Sequence, residues 1–110
     1  MTMYVSVIGG DVGSCTEEDC RRAEELGKGI AERGHILICG GRGGVMEAAC
    51  KGAKQEGGTT IGILPSSDRS EGNEYLDHSI VTNLGIMRNS LVVLNGDLVV
   101  AVDGGYGTLS

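Results

Sequence analysis

Three clusters of glycine, each directly after a short apolar run, are the part of this sequence best suited to bind a ligand. Glycine allows the backbone to approach a ligand closely, and the free N–H groups at the start of a helix bind anions. The pattern therefore predicts a phosphate-binding site, although tight strand-to-helix turns would need the same glycines. The clusters are Gly9, Gly10 and Gly13; then Gly40, Gly41, Gly43 and Gly44; and finally Gly104, Gly105 and Gly107.

Three side chains near these clusters are candidates for contact with a ligand. Arg42 lies between glycines of the second cluster and could clamp an anion. Arg88 could hold a phosphate or stabilise a leaving charge, and the alternative is a solvated residue on a helix. Tyr106, inside the third cluster, could cover a base or a sugar, or could simply pack outward.

The cysteines and histidines do not predict a metal site. The cysteines form no C-x-x-C pair and have no histidine at zinc-finger spacing. We expect them to be reduced and to act as small buried hydrophobic residues, and we interpret both histidines as structural or surface residues. The cysteines are Cys15, Cys20, Cys39 and Cys50, and the histidines are His35 and His78.

Two common phosphate-binding motifs are absent. The segment Gly9-Gly-Asp-Val-Gly does not have the G-x-G-x-x-G spacing of a dinucleotide-binding turn, and the second predicted strand ends at Cys39 rather than at an acidic residue. A P-loop requires Gly-Lys-Ser/Thr after a strand, whereas Gly27-Lys28 lies inside a predicted helix. Both NAD binding of the usual kind and ATPase chemistry are therefore disfavoured.

The elements that must position these residues alternate along the chain. Short β-branched apolar runs predict strands at 5–8, 35–39, 59–64 and 98–102, with a weaker one at 79–82, and helical periodicity predicts helices at 16–33, 44–56 and 86–95. We expect Gly27 and Gly29 to mark close packing of the first helix on the sheet. The alternation predicts one α/β domain over residues 1–110, a three-layer Rossmann-like fold with a parallel sheet and helices on both faces. All three glycine clusters then lie at the carboxyl edge of the sheet, where such folds bind ligands.

Composition excludes several classes of function. Nine Lys and Arg against fifteen Asp and Glu give a net charge of −6, which disfavours binding to nucleic acid. No apolar run approaches the roughly 20 residues of a membrane span, and the apolar start lacks the basic stretch of an export signal, so we expect a cytoplasmic protein. The sequence ends in what reads as the start of another helix, so we expect that it is truncated at its C-terminus.

Three motifs resemble a known family. In order they are Gly40-Gly-Arg-Gly-Gly-Val-Met-Glu-Ala-Ala, Gly85-Ile-Met-Arg-Asn and Asp103-Gly-Gly-Tyr-Gly-Thr-Leu-Ser. They resemble signatures of the Lonely Guy (LOG) superfamily of Rossmann-like nucleotide-binding proteins, and most of all its branch of molybdenum-cofactor carriers and "lysine decarboxylase-like" proteins. The family's usual Pro before the paired glycines is Asp103 here.

The resemblance also implies a homodimer. It implies phosphate binding by Gly104, Gly105, Gly107 and Thr108, assisted by Gly41, Gly43 and Gly44. Together with the candidates from the glycine clusters and their side chains, the predicted binding set is Gly10, Gly41, Arg42, Gly43, Gly44, Gly104, Gly105, Tyr106, Gly107 and Thr108.

Two functions remain open at this point. The first is a binding protein for a phosphate-bearing nucleotide or a pterin-type cofactor such as the molybdenum cofactor. The second is a nucleoside 5′-monophosphate phosphoribohydrolase, for which Arg88 matches the family's catalytic Arg while the catalytic Glu would fall immediately after Ser110. Replacement of that Glu by Glu47, Asp103 or Asp11 is a further alternative. A DNA-binding relative is disfavoured by the negative charge and by the absence of Phe and Trp for base stacking.

Overall fold

The computed structural model describes residues 1–9 and 15–102. It contains a five-stranded sheet in which all neighbouring strands run parallel, in the order β4-β3-β2-β1-β5. This arrangement confirms the predicted Rossmann-like α/β fold. The strands are β1 (Tyr4–Gly9), β2 (Ile36–Cys39), β3 (Thr59–Leu64), β4 (His78–Val81) and β5 (Leu98–Val102), and the α-helices are α1 (Glu17–Glu32), α2 (Val45–Gln55) and α3 (Arg88–Asn95), with short 3₁₀ turns at Arg69–Glu71 and Gly85–Met87.

The described helices cover both faces of the sheet. α1 and α2 lie side by side on one face, where Ala23, Ala49 and Cys50 pack against strand residues such as Val7 and Leu37. α3 covers the other face through a smaller cluster built around Val92, Ile38 and Ile63. The Ser6 hydroxyl also donates a hydrogen bond of 2.6 Å to the Val92 carbonyl oxygen, which satisfies a buried polar group beneath α3.

The side chain of Thr16 caps the N-terminus of α1. The Thr16 hydroxyl accepts a hydrogen bond of 3.1 Å from the backbone N–H of Asp19. Glu17, Glu18 and Asp19 in the first turn also favour the positive end of the helix dipole. Of the helices in the described ranges, none is long and apolar enough to cross a membrane.

Glycines let α1 and α2 touch each other. A Cβ built on Gly27 would overlap the carbonyl oxygen of Ala49, and one built on Gly52 would overlap the carbonyl oxygen of Glu24. The prediction that Gly27 packs on the sheet is therefore wrong, because its close neighbour is α2. The prediction for Gly29 is also wrong, since a Cβ there would meet only the Arg33 guanidinium within 4 Å.

The cysteines divide into two pairs. Cys39 and Cys50 are buried and reduced, as predicted, with their sulfur atoms 3.5 Å apart. Cys15 and Cys20 instead form a disulfide, so the expectation of four reduced cysteines is wrong. Cys15 directly precedes the N-cap of α1, and Cys20 lies in the first turn of that helix. Their Cα atoms are therefore only 5.8 Å apart, which suits a disulfide.

Candidate functional site

The order of the strands in the sheet reverses at β1. The chain proceeds from β1 to β2, β3 and β4 on one side, while β5 pairs with the opposite edge of β1. In open parallel sheets, ligands bind outside the carboxyl ends of the strands at such a reversal. A cavity of about 700 Å³ lies there. Its lining comes from the end of β1, the β2–α2 loop, the first turn of α2, Pro65 after β3, and the start of α3.

The structure brings together some of the predicted site residues. Arg42 and Arg88 both line this cavity, together with Gly40 of the second glycine cluster. Gly41 and Gly43 lie in the same loop but do not line the cavity, and Gly44, the N-cap of α2, lines a different pocket of about 370 Å³. The remaining predicted binding residues lie outside the described residues, namely Gly10, Gly104, Gly105, Tyr106, Gly107 and Thr108.

Arg88 is held firmly at the inner wall of the cavity. Its side chain leaves the first position of α3 and is only 7% exposed, so the interpretation as a solvated helix residue is wrong. Nη1 donates a hydrogen bond of 2.8 Å to the Ile63 carbonyl oxygen and a second one to the Gly40 carbonyl oxygen. These bonds connect the ends of β2 and β3 through the guanidinium.

The same guanidinium keeps an unused donor. Arg88 Nε is buried and has no hydrogen-bond partner in the described part of the chain. A buried donor without an acceptor costs free energy unless a bound group satisfies it. Because an arginine presents Nε and Nη2 as a fork that matches the oxygens of a carboxylate or a phosphate, this residue can hold an oxyanion at the cavity wall.

The charges around the cavity favour an anion. Burial lowers the pKa of the Arg88 guanidinium below its ordinary value, and the nearby charge of Arg42 contributes in the same direction. An arginine nevertheless remains protonated, so the two side chains bring two positive charges to one cavity. The described lining residues include no carboxylate. The site is thus locally positive in a chain whose net charge is −6.

The start of α2 adds backbone donors to this wall. The first hydrogen bond inside the helix runs from the Ala48 N–H to the Gly44 carbonyl oxygen, at 3.1 Å. The N–H groups of Val45, Met46 and Glu47 precede it and therefore have no partner within the helix. Met46 lines the cavity, whereas Gly44 and Glu47 line the pocket of about 370 Å³, so the positive end of the helix dipole borders both.

Some residues that line this cavity were not predicted from the sequence, and one candidate lies elsewhere. Met46 and Asn89 line the cavity but were not predicted, because an apolar or amide side chain on a helix carries no signal of its own. Glu47, a candidate replacement for a catalytic Glu, lies in the first turn of α2 and lines the pocket of about 370 Å³ beside Lys51 and Tyr75, so the structure does not bring it to this cavity. It turns away because successive residues of a helix face in different directions. The other two candidates, Asp11 and Asp103, lie outside the described residues.

Comparison of sequences identifies the relatives of the chain. The model of the SLOG cluster4 family matches residues 2–110. An uncharacterized protein of Archaeoglobus fulgidus is 47% identical over 108 residues, which cover 98% of this chain and 70% of that protein. A cytokinin riboside 5′-monophosphate phosphoribohydrolase of Mycobacterium tuberculosis is 33% identical over 90 residues, which cover 79% of this chain and 48% of that enzyme.

Solved structures with the same fold include two proteins described by the cofactor that they bind. The molybdenum cofactor binding protein of Rippkaea orientalis has a TM-score of 0.89 and 42% identity, and the match covers 96% of this chain and 64% of that one. The molybdenum cofactor carrier protein of Chlamydomonas reinhardtii has a TM-score of 0.83 and 42% identity, and the match covers 96% of this chain and 65% of that one. The chain thus spans slightly less than two thirds of both structures. Together, the matched motifs, the fold and the family model show that this chain belongs to the SLOG cluster4 family of LOG-like proteins.

Proposed function

We propose that residues 1–110 form one domain that binds a small molecule carrying a phosphate group, either a pterin-type cofactor such as the molybdenum cofactor or a nucleotide. The observation that carries this proposal is Arg88, which lines the cavity and whose buried Nε has no hydrogen-bond partner in the described part of the chain. A phosphate oxygen supplies the acceptor that Nε lacks, and Arg42 adds a second positive charge.

The cavity suits the rest of such a ligand. Its volume of about 700 Å³ falls within the range of ordinary small-molecule sites. Ile8, Met46 and Val92 provide apolar contact for a flat heterocycle, at the same cavity as the two arginines. The two cofactor-binding structural relatives support a pterin-type ligand in particular.

The molybdenum cofactor fits this donor set through its phosphate. Arg42, Arg88 and the first N–H groups of α2 would hold the phosphate, and Met46 would lie against the ring. By resemblance, Gly104, Gly105, Gly107 and Thr108 would complete the phosphate site, and Gly10 and Tyr106 are the further binding residues that the sequence predicts. The bound cofactor supplies redox chemistry to molybdenum enzymes, and the role proposed for this chain is to bind and shield it.

The experiment is a titration with matched ligands that differ only in the phosphate. The phosphorylated pterin of the molybdenum cofactor and AMP are each compared with their dephosphorylated forms by calorimetry. We expect one phosphorylated ligand to bind at least about tenfold more tightly than its dephosphorylated form, which equals about 1.4 kcal/mol. Equal affinities within both pairs, or no binding by any of the four ligands, would overturn the proposal.

A phosphoribohydrolase is the second candidate, and the relative from Mycobacterium tuberculosis favours it. Cleavage of an N-glycosidic bond needs a general base to accept the proton of water. The described lining residues include no carboxylate, so this base would have to come from outside them. Release of adenine from AMP that is abolished by Arg88→Lys would establish the enzyme, whereas release no faster than in buffer would exclude it for this chain.

We also propose that the chain forms a homodimer through α3. Ile86 and Leu94 are 81% and 75% exposed, and Met87 and Val93 beside them are exposed too. The exposed side chains of α3 and its preceding turn carry no charge, so two copies of a chain with a net charge of −6 can meet there without direct repulsion. Sedimentation should show a dimer that Leu94→Glu converts to monomers, and a monomeric wild type at 100 µM would contradict this proposal.

A further inference from the structure

Asn73 connects two loops that are distant in the sequence. It lies between β3 and β4, just after the 3₁₀ turn at Arg69–Glu71, and contacts the β2–α2 loop. Its backbone N–H donates to the Gly41 carbonyl oxygen at 2.9 Å. Its Nδ2 donates to the Arg42 carbonyl oxygen at 3.0 Å and also contacts that of Gly41 at 3.4 Å. A single residue thus binds two successive carbonyl groups of the glycine-rich loop.

The amide oxygen of the Asn73 side chain also has a hydrogen-bond partner. Its Oδ1 accepts a hydrogen bond of 2.9 Å from the backbone N–H of Tyr75. This contact fixes the orientation of the amide, so that Nδ2 faces the β2–α2 loop. Asn73 itself does not line the cavity, whereas Arg42 does. The side chain therefore acts on the loop from outside the ligand site.

The two bonded carbonyls determine where the next N–H groups point. In a planar trans peptide, the C=O and the following N–H point in opposite directions. Because the carbonyls of Gly41 and Arg42 face Asn73, the N–H groups of Arg42 and Gly43 must face away from it. Gly41, which has a φ of +85°, allows the sharp turn of the backbone that leads into these two peptides.

From these contacts we infer that Asn73 is a positioning residue for the anion site. It aims the N–H groups of the β2–α2 loop and fixes the backbone that carries Arg42, although it touches no ligand atom. The inference rests on the proposed function, since it concerns affinity for the phosphate of the same ligand. Loss of the Asn73 side chain should weaken binding of the phosphate and leave contacts with the ring system unchanged.

The test compares three variants of the full chain. Asn73→Ala removes all side-chain bonds, and Asn73→Asp keeps the acceptor for Tyr75 N–H but removes the donor to the two carbonyls. Asn95→Ala is the matched control, because it removes an Nδ2 bond of 2.7 Å to the Leu91 carbonyl oxygen within α3. Affinities are measured for AMP and adenosine, and for the phosphorylated and dephosphorylated pterin of the molybdenum cofactor.

We expect both Asn73 variants to lose about tenfold in affinity for the phosphorylated ligand and less than about twofold for the dephosphorylated one. The control should change neither. If the wild type prefers the phosphorylated ligand and both Asn73 variants keep that preference, the inference is wrong while the proposed function stands. If the wild type shows no such preference, the proposed function fails and the inference fails with it.

A second measurement needs no ligand. In ¹H–¹⁵N spectra, the amide signals of Arg42 and Gly43 should shift in Asn73→Asp and remain in place in Asn95→Ala. Unchanged signals in a folded Asn73→Asp protein would contradict the positioning role independently of binding. This readout also separates loss of loop geometry from general loss of stability, because signals of the distant helix α1 report on the latter.

Discussion

The Arg88 guanidinium fills the space that a side chain at Gly40 would occupy. Nη1 donates a hydrogen bond to the Gly40 carbonyl oxygen, and a Cβ built on Gly40 would lie 2.8 Å from Arg88 Cζ and 2.7 Å from Met46 Sδ. Residue 40 must therefore be glycine to admit the arginine. Two residues 48 positions apart in the sequence together form one wall of the cavity.

The first prediction concerns this contact. Gly40→Ala should displace the Arg88 guanidinium, lower the affinity for the phosphorylated ligand by about tenfold or more, and cost about 1–3 kcal/mol of stability through overpacking. Calorimetry and urea unfolding measure the two effects. Gly29→Ala is the control, since a Cβ at this position in α1 would meet only the exposed Arg33 guanidinium, and the variant should bind normally. Normal phosphate affinity in Gly40→Ala would show that the position of Arg88 does not matter.

The second prediction concerns the guanidinium itself. Arg88→Lys keeps the positive charge but cannot reach two carbonyls and also offer a planar fork to a phosphate. We expect about 10- to 100-fold weaker binding of the phosphorylated ligand, since hydrogen bonds to charged groups contribute about 1.5–3 kcal/mol. Arg22→Lys, in an exposed ion pair with Glu18, serves as the control in the same titration. Equal loss for the dephosphorylated ligand would indicate a structural role only.

The third prediction concerns the four cysteines. Because Cys39 and Cys50 are buried and Cys15 and Cys20 are bonded to each other, the native protein should react with no equivalent of a thiol reagent. The pKa of the Cys50 thiol is raised by its hydrogen bond with Cys39 and by burial, which further slows its reaction. Two equivalents should react after unfolding, and all four after unfolding with a reductant. Four equivalents without a reductant would disprove the disulfide.

The fourth prediction concerns the pH dependence of stability. Burial opposes ionisation of Asp77, but hydrogen bonds from Lys54 and Thr60 outweigh it and hold the pKa of this carboxyl below its usual 3.8. A carboxyl with a lowered pKa stabilises the fold above its unfolded pKa, and this contribution is lost as the pH falls through the folded value. Asp77→Asn should therefore cost stability at pH 7 and progressively less below about pH 4.

Urea unfolding at pH 7 and at pH 3 measures this difference. The Lys54 and Asp77 side chains are about one third exposed, so solvent screening keeps the expected loss at pH 7 to about 1 kcal/mol. Glu56→Gln, an exposed carboxylate at the end of α2, is the control and should change stability little. A loss from Asp77→Asn that grows as the pH falls would contradict the assigned direction of the pKa shift.

The fold was predictable because its signals are local. Buried parallel strands such as β2 and β3 appear in the sequence as continuous apolar runs, and the cap at Thr16 starts α1 where predicted. The partner of a packed residue is not a local property. The sequence indicated that Gly27 marks close packing but could not show that its close neighbour is α2 rather than the sheet.

The site was predictable only in part, for the same reason. The glycine clusters and the resemblance to the LOG superfamily pointed to Arg42 and Arg88, which both line the cavity. Asn73 carried no signal, because an asparagine in a polar loop is typical of any turn. Its function depends on contacts with residues 31 and 32 positions away, which only the folded chain brings together.

The most direct test of the anion site is the NMR signal of the Arg88 Nε–H, assigned by its loss in Arg88→Lys. On titration with AMP and with the phosphorylated pterin of the molybdenum cofactor, at least one of the two should shift this signal strongly, as expected when a buried donor gains a charged acceptor. The corresponding dephosphorylated compounds should leave it in place. A phosphorylated ligand that binds in the cavity without moving this signal would contradict the account.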